Sequence, residues 1–335
     1  MHFGIFDQLP CAESQSPAQR YHDLVSQATL ADKLGFQTVW LAELHFNPRF
    51  SVMPSPLLAA SAIAQATQRI RVGTAVNLVP LHHPIRLAEE VATLDLLSGG
   101  RAVFGIGRGS NPSHYEGYGI PMSEGRDRFQ EALDFVLQAW ATDSLDFQGR
   151  YYQAHGLQVT PKPCQQPHPP VYVAANSADT FPLVGDLGHS ILTTPLIIGN
   201  KGVQDGLSIY RQHLAEGGHD PAAVNVVVTL PCYVASDRKK ARAGLEPTIN
   251  NYLETLRLTS RGRGADRAMQ LNYDEIYSDL SIIGDPSECV ERLHQLRERF
   301  GCQEFMGWFN IGGMLPNAEV ARSLRLFAEK VMPQF

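Results

Sequence analysis

Several short stretches of this chain carry side chains of the right type and spacing to do chemistry. Glu43 and His45 stand two residues apart, just past the apolar run Thr38-Val39-Trp40-Leu41. An imidazole placed there can move a proton, or it can be a satisfied core histidine. Arg108 lies within Gly105-Ile106-Gly107-Arg108-Gly109, and a guanidinium at a strand end suits a phosphate or a flat ring. Asn176-Ser177-Ala178-Asp179-Thr180 sets two hydroxyls at the spacing of a helix start. Free N–H groups and the helix dipole would favour an anion there, although ordinary capping by Asn176 or Ser177 uses the same residues.

Other chemistries lose support. His82 and His83 are adjacent, so their side chains diverge, and no carboxylate stands at ligand spacing for a metal. The glycines read G-x-G-x-G, no helix follows at once, and no acidic ribose partner is placed, which weakens a dinucleotide reading. Their plainer meaning is a strand end that another group approaches closely. No G-x-S-x-G elbow or H-E-x-x-H pair is present. Glu89-Glu90, Glu131 and Asp134 read as solvent or inter-helix faces.

These groups need a frame. Val72–Pro80 and Arg101–Ser110 each begin apolar and end small and polar, and they flank a helical pattern over Ile85–Leu97. Strand, helix and strand make a parallel unit whose functional groups gather at the carboxyl ends of its strands. Further strands are expected at His2–Phe6, 171–174, 191–192, 224–229 and 304–309. Helices are expected around Leu24–Leu34, from Ser55-Pro56, over Glu124–Trp140, from Asp285 and over Glu319–Val331. A hairpin is expected around Gln148-Gly149, and the polar stretch Ser260–Tyr273 reads as a loop or lid. The alternation implies a parallel α/β fold. At 335 residues the expectation is a single (β/α)₈ TIM barrel over 1–335 with insertions near 145–170 and 243–281; a doubly wound sheet is the alternative.

The net charge of −6, without a basic block, argues against nucleic acid as a partner. No apolar run approaches the roughly 20 residues of a membrane span, and Met1–Asp7 reads as a first strand, not a signal peptide. Five scattered cysteines without a C-x-x-C pair fit reduced thiols in a cytoplasm.

The runs Thr38–Phe46, Val72–Pro80 and Phe104–Gly109, with Pro170–Ala174, Ser177, Thr180 and Val331-Met332-Pro333, resemble bacterial luciferase-like flavin monooxygenases, nearly end to end and in the same order. The resemblance implies reduced FMN at the carboxyl ends of the barrel strands. It implies phosphate contacts from Arg108, Arg126, Ser177 and Thr180, with backbone N–H groups of Asn176 and Ser177. Ala75-Val76 matches the place of a non-prolyl cis peptide beneath the flavin, and Asn77 would reach the ring. This chain departs where luciferase reads E-H-H-F, since Glu43-Leu44-His45-Phe46 has Leu44 in place of the general-base histidine. Gly107 stands where luciferase has a reactive cysteine, and Asn176 where it has a glutamate.

The function implied is an FMN-dependent monooxygenase using O₂ on a small to medium, apolar organic substrate, with reduced FMN supplied by a separate flavin reductase. His45 is its candidate for proton handling, and a homodimer through the early helices is expected. The alternatives are an F420-dependent hydride-transfer enzyme and a non-catalytic flavin-binding protein of the same fold. Leu44, Phe46, Phe50, Met53 and Trp308 suggest an apolar substrate pocket, or simple packing.

Overall fold

The computed structural model describes residues 1–259 and 263–335. Its core is a closed parallel barrel of strands β1 (His2–Asp7), β2 (Thr38–Leu41), β3 (Arg71–Thr74), β4 (Ala102–Gly107), β5 (Val171–Ala174), β6 (Ser190–Thr193), β7 (Val226–Val234) and β8 (Glu304–Trp308). Pairing of His2 with Glu304 and of Phe3 with Phe305 closes the ring. The expected barrel is thus the fold. These strands are buried along almost their whole length, as a sheet covered on both faces must be.

Helices α1 (Pro17–Leu34), α2 (Pro56–Ala66), α3 (Pro84–Ser98) and α4 (Gly125–Ala141) return the chain after β1 to β4. Proline in the first turn starts the first three, and left-handed Gly35 and Gly99 end α1 and α3. Ser55 precedes α2 without making the expected side-chain cap. After β5 and β6 come α5 (Thr180–Asp186) and α6 (Pro195–Glu216). After β7 the chain runs through α7 (Arg238–Thr259) and the helices Arg263–Gln270 and Tyr273–Asp279. A three-residue strand, Ile282–Gly284, then pairs with the end of β7 and leads to helix Pro286–Phe300, which Asp285 caps at 2.9 Å. Helix α8 (Asn317–Lys330) closes the barrel. The loop or lid expected over 260–273 is therefore helical at Arg263–Gln270, and residues 260–262 lie outside those described. No helix among the described residues is long and apolar enough to cross a membrane.

Charged side chains bonded to the backbone pin the layers. Asp32 of α1 accepts the N–H groups of Gln68, Arg69 and Ile70 at 3.0, 2.9 and 2.7 Å, fixing the approach to β3. Burial pushes its carboxyl up, but these donors together hold it below the usual range. Arg101 donates to the carbonyls of Ala64, Ile70 and Ser98, each at 2.7 Å, and so ties the ends of α2 and α3 to the start of β4. Glu131 is not a free surface charge. It accepts the N–H groups of Arg150, Tyr151 and Tyr152 at 3.0, 2.8 and 2.7 Å, docking the hairpin Leu145–Leu157 onto α4.

The stretch Val72–Pro80 is not one strand. It pairs with β4 at Val72 and Gly73, breaks, and pairs again as Asn77–Leu78 with Ile106 and Gly107. Thr74 causes the interruption: its hydroxyl donates to the Gly105 carbonyl at 2.6 Å and accepts the Gly105 N–H at 3.1 Å, replacing the ladder bonds. A Cβ at Gly105 would lie 1.7 Å from the Thr74 carbonyl oxygen, so only glycine fits. Gly105→Ala is expected to destabilise the protein by about 3 kcal/mol. Denaturant unfolding checks this, and a loss below about 0.5 kcal/mol would mean that the two strands separate freely.

Candidate cofactor and active site

A cavity of about 770 Å³ opens at the carboxyl ends of β4, β5 and the segment after β3. One wall is apolar, built from Val76, Leu78, Phe129, Val173 and Leu183. Val76 follows a cis peptide after Ala75, at the place the resemblance indicated. Gly107 faces it so closely that a Cβ would stand 2.6 Å from Val76 Cγ2. Any side chain at this place would require Val76 to shift.

The other end of the cavity is polar. Arg108 and Arg126 lie on its wall with Asn176, Ser177 and Thr180, so these five expected residues are brought together. Three of them, Arg108, Arg126 and Ser177, share Asp179 as a partner, a residue to which the sequence assigns no role of its own. Arg108 Nη1 and Arg126 Nη1 lie 3.5 and 4.0 Å from Asp179 Oδ2. The Ser177 hydroxyl donates to Asp179 Oδ1 at 2.7 Å and lies 2.8 Å from the Thr180 hydroxyl. The Ser177 hydrogen bond, with the two guanidinium groups, holds the Asp179 carboxyl below its usual range. Helix α5 begins only at Thr180, so Asn176 and Ser177 precede it and do not open it. Asn176 Oδ1 instead accepts from the Thr194 N–H at 3.0 Å and the Thr193 hydroxyl at 3.3 Å, tying the end of β5 to that of β6.

Ala75, Asn77 and His45 do not line this cavity. Asn77 is fully buried with both amide atoms unpaired. Leu44, Phe46, Phe50, Met53 and Trp308 do not line it either: Met53 and Trp308 are core residues, while Phe46 is 63% exposed.

Behind the Leu78 wall lies a buried acid–imidazole cluster. Glu43 Oε2 accepts the Leu78 N–H at 2.9 Å. His45 Nε2 lies 2.8 Å from Glu43 Oε1, and His82 Nε2 lies 2.8 Å from Oε2. In its neutral form His45 donates from Nε2 to the carboxylate, which leaves Nδ1 to accept from the Tyr118 hydroxyl 3.4 Å away. The His45 backbone N–H donates to His114 Nε2 at 3.4 Å. Burial alone would raise the Glu43 pKa, but the two imidazoles and the Leu78 N–H bring it down to about 2. Burial opposes protonation of His82, and Glu43 overrides it, so that pKa is raised. His114 is pushed down to about 4 by burial and by His45. Of this cluster only the Glu43-x-His45 spacing was visible in the sequence. Among the described residues no group of three or more His, Cys, Asp or Glu is arranged to hold a metal ion.

A family profile described as luciferase-like monooxygenase matches residues 1–303. The chain belongs to the luciferase-like monooxygenase family. The oxygenase component of a flavin-dependent trigonelline monooxygenase from Acinetobacter baylyi is 26% identical, covering 100% of this chain and 96% of that protein. Monooxygenase RslO1 from Streptomyces bottropensis superposes with a TM-score of 0.90 at 30% identity, over 99% of both chains. The oxygenating constituent of 3,6-diketocamphane monooxygenase from Pseudomonas putida, solved with FMN, shares the fold at a TM-score of 0.86 and 20% identity, over 99% and 98% of the two chains. The cavity's two parts suit the flavin such family members use: an apolar wall for a flat ring, and paired guanidinium and hydroxyl groups for a phosphate.

The cluster behind the wall predicts a pH dependence. His82, with its raised pKa, contributes stability that is full below its unfolded value near 6.5 and is lost as pH rises through its folded value. Glu43 works oppositely, its contribution present above about 4.3 and lost only as pH falls toward 2. His82→Gln should therefore lower the unfolding midpoint at pH 6 more than at pH 9. Guanidinium titrations at both pH values test this, and an equal effect at the two would show that His82 is not held protonated.

Proposed function

We propose that this chain is the oxygenase of a two-component FMN-dependent monooxygenase. It takes reduced FMN from a separate flavin reductase and uses O₂ on a small to medium, apolar organic substrate. The observation that carries this reading is the grouping of Arg108, Arg126, Ser177 and Thr180 at one end of a cavity whose other wall is Val76 and Leu78. The A. baylyi relative, named as an oxygenase component, supports a separate reductase.

When bound, reduced flavin supplies the electrons with which O₂ is activated. The chain's own residues do the rest. Arg108 and Arg126 hold the phosphate as charge-assisted donors, with hydroxyls from Ser177 and Thr180 and backbone N–H groups at Asn176 and Ser177. Val76, after the cis peptide from Ala75, forms the shelf under the ring, and Asn77 is buried behind it. The apolar wall keeps water from the reacting atoms. His45 acts as a positioning residue: Glu43 fixes its tautomer, and its Nδ1 orients the Tyr118 hydroxyl. Leu58, Leu96 and Leu97, exposed on α2 and α3, form the surface for a homodimer through the early helices.

Arg108→Ala should weaken FMN binding about ten-fold while leaving riboflavin, which lacks the phosphate, unchanged. Flavin fluorescence titrations measure both. Titrating FMN against F420, and following O₂ uptake with a flavin reductase and NADH, tests the class. Tighter binding of F420 would favour hydride transfer. Tight oxidised FMN without any protection of reduced FMN from free oxidation would favour a carrier.

A further inference from the structure

The phosphate cradle contains an acid, which is the wrong charge for its task. Asp179 is 41% exposed in its side chain, so burial does not explain it. Helix capping does not explain it either. Asp179 sits at the N-cap of α5 and makes no side-chain cap bond, unlike Asp285, whose carboxylate accepts the Glu288 N–H at 2.9 Å. What Asp179 does is satisfy the cradle. One of its oxygens faces both guanidinium groups, and the other accepts the Ser177 hydroxyl, which is itself paired with Thr180.

We infer that Asp179 is an internal stand-in for the flavin phosphate and that it sets how tightly and how reversibly this chain holds its flavin. The inference rests on the flavin reading above. A phosphate entering the cradle competes with the Asp179 carboxylate for Arg108, Arg126 and Ser177, and both are anions. The carboxylate must swing out toward solvent, which its exposure permits, or remain as a like charge beside the phosphate. Either way part of the attraction of two guanidinium groups is forfeited. The exchange also runs in reverse: when the flavin leaves, Asp179 closes onto the arginines, so no cation pair is left unpaired. Such a seat suits a flavin that arrives and departs each cycle, and it discriminates by the phosphate end alone.

The test compares the wild-type protein with Asp179→Asn and Asp179→Ser, measuring FMN and riboflavin affinity by fluorescence, FMN release by stopped flow, and the thermal shift given by inorganic phosphate. Both variants should bind FMN about ten-fold more tightly and release it correspondingly more slowly, with riboflavin unchanged. Inorganic phosphate should raise the melting temperature of the variants more than that of the wild type. Unchanged or weaker FMN binding with riboflavin unaffected overturns the inference, as does an equal change in both flavins, which would mean that Asp179 acts through the fold. Should no variant bind any flavin while phosphate still stabilises the variants more, the stand-in role holds and the flavin reading falls.

Discussion

The contact between Thr74 and Gly105 determines how the site is made. A threonine hydroxyl that both donates to and accepts from one glycine removes a register of the β3–β4 ladder. The chain leaves the barrel wall at Thr74 and rejoins it at Asn77, so Val76 faces the cavity and Gly107 must lack a side chain. A regular strand over Val72–Pro80 would have alternated its side chains between barrel interior and helix layer. The interruption yields a shelf beside the carboxyl ends of β4 and β5.

Two carboxylates serve this site under opposite physics. Glu43 is buried, and an isolated charge there would be expensive. It is tolerated because two imidazoles and the Leu78 N–H surround it. Its return contribution is positional: Leu78, part of the cavity wall, hangs on its oxygen. Asp179 is half exposed, so its pairs with Arg108 and Arg126 are screened and exchangeable. A buried pair would hold one arrangement permanently. The screened one can trade partners, as the proposed exchange with a phosphate requires.

Much of the frame was legible because it repeats. Apolar stems of short length, helix starts with proline and helix ends with glycine recur along the chain, and each is a local signal. The polar end of the cavity was legible because Arg108 and the run 176–180 follow directly on short apolar stems. Other features depend on partners distant in sequence. Nothing around Glu131 announces that it pins a turn some twenty residues onward, and nothing beside His82 announces Glu43. The Arg263–Gln270 helix was missed because its charge and glycine content read as a loop. Asp179 was in plain view within the run 176–180, but an acid gives no local sign that it will pair with arginines some fifty to seventy residues away.

The geometry around His45 constrains where protons can go. With Nε2–H committed to Glu43, the imidazole has one free nitrogen, and that faces the Tyr118 hydroxyl, away from the residues lining the cavity. Leu44 offers no second imidazole in its place. On the proposed reading, a proton taken up or released at His45 passes by Tyr118, or requires His45 to give up Glu43. The second route breaks a hydrogen bond to a buried carboxylate whose other oxygen supports the cavity wall through Leu78. Such a bond, to a charged acceptor out of water, is among the more costly to break, at roughly 1.5–3 kcal/mol. The first route needs only movement of a half-exposed phenol, whose ring packs against His45 and Phe46. With Leu44 in place of an imidazole, His45 meets the Tyr118 hydroxyl at its second nitrogen.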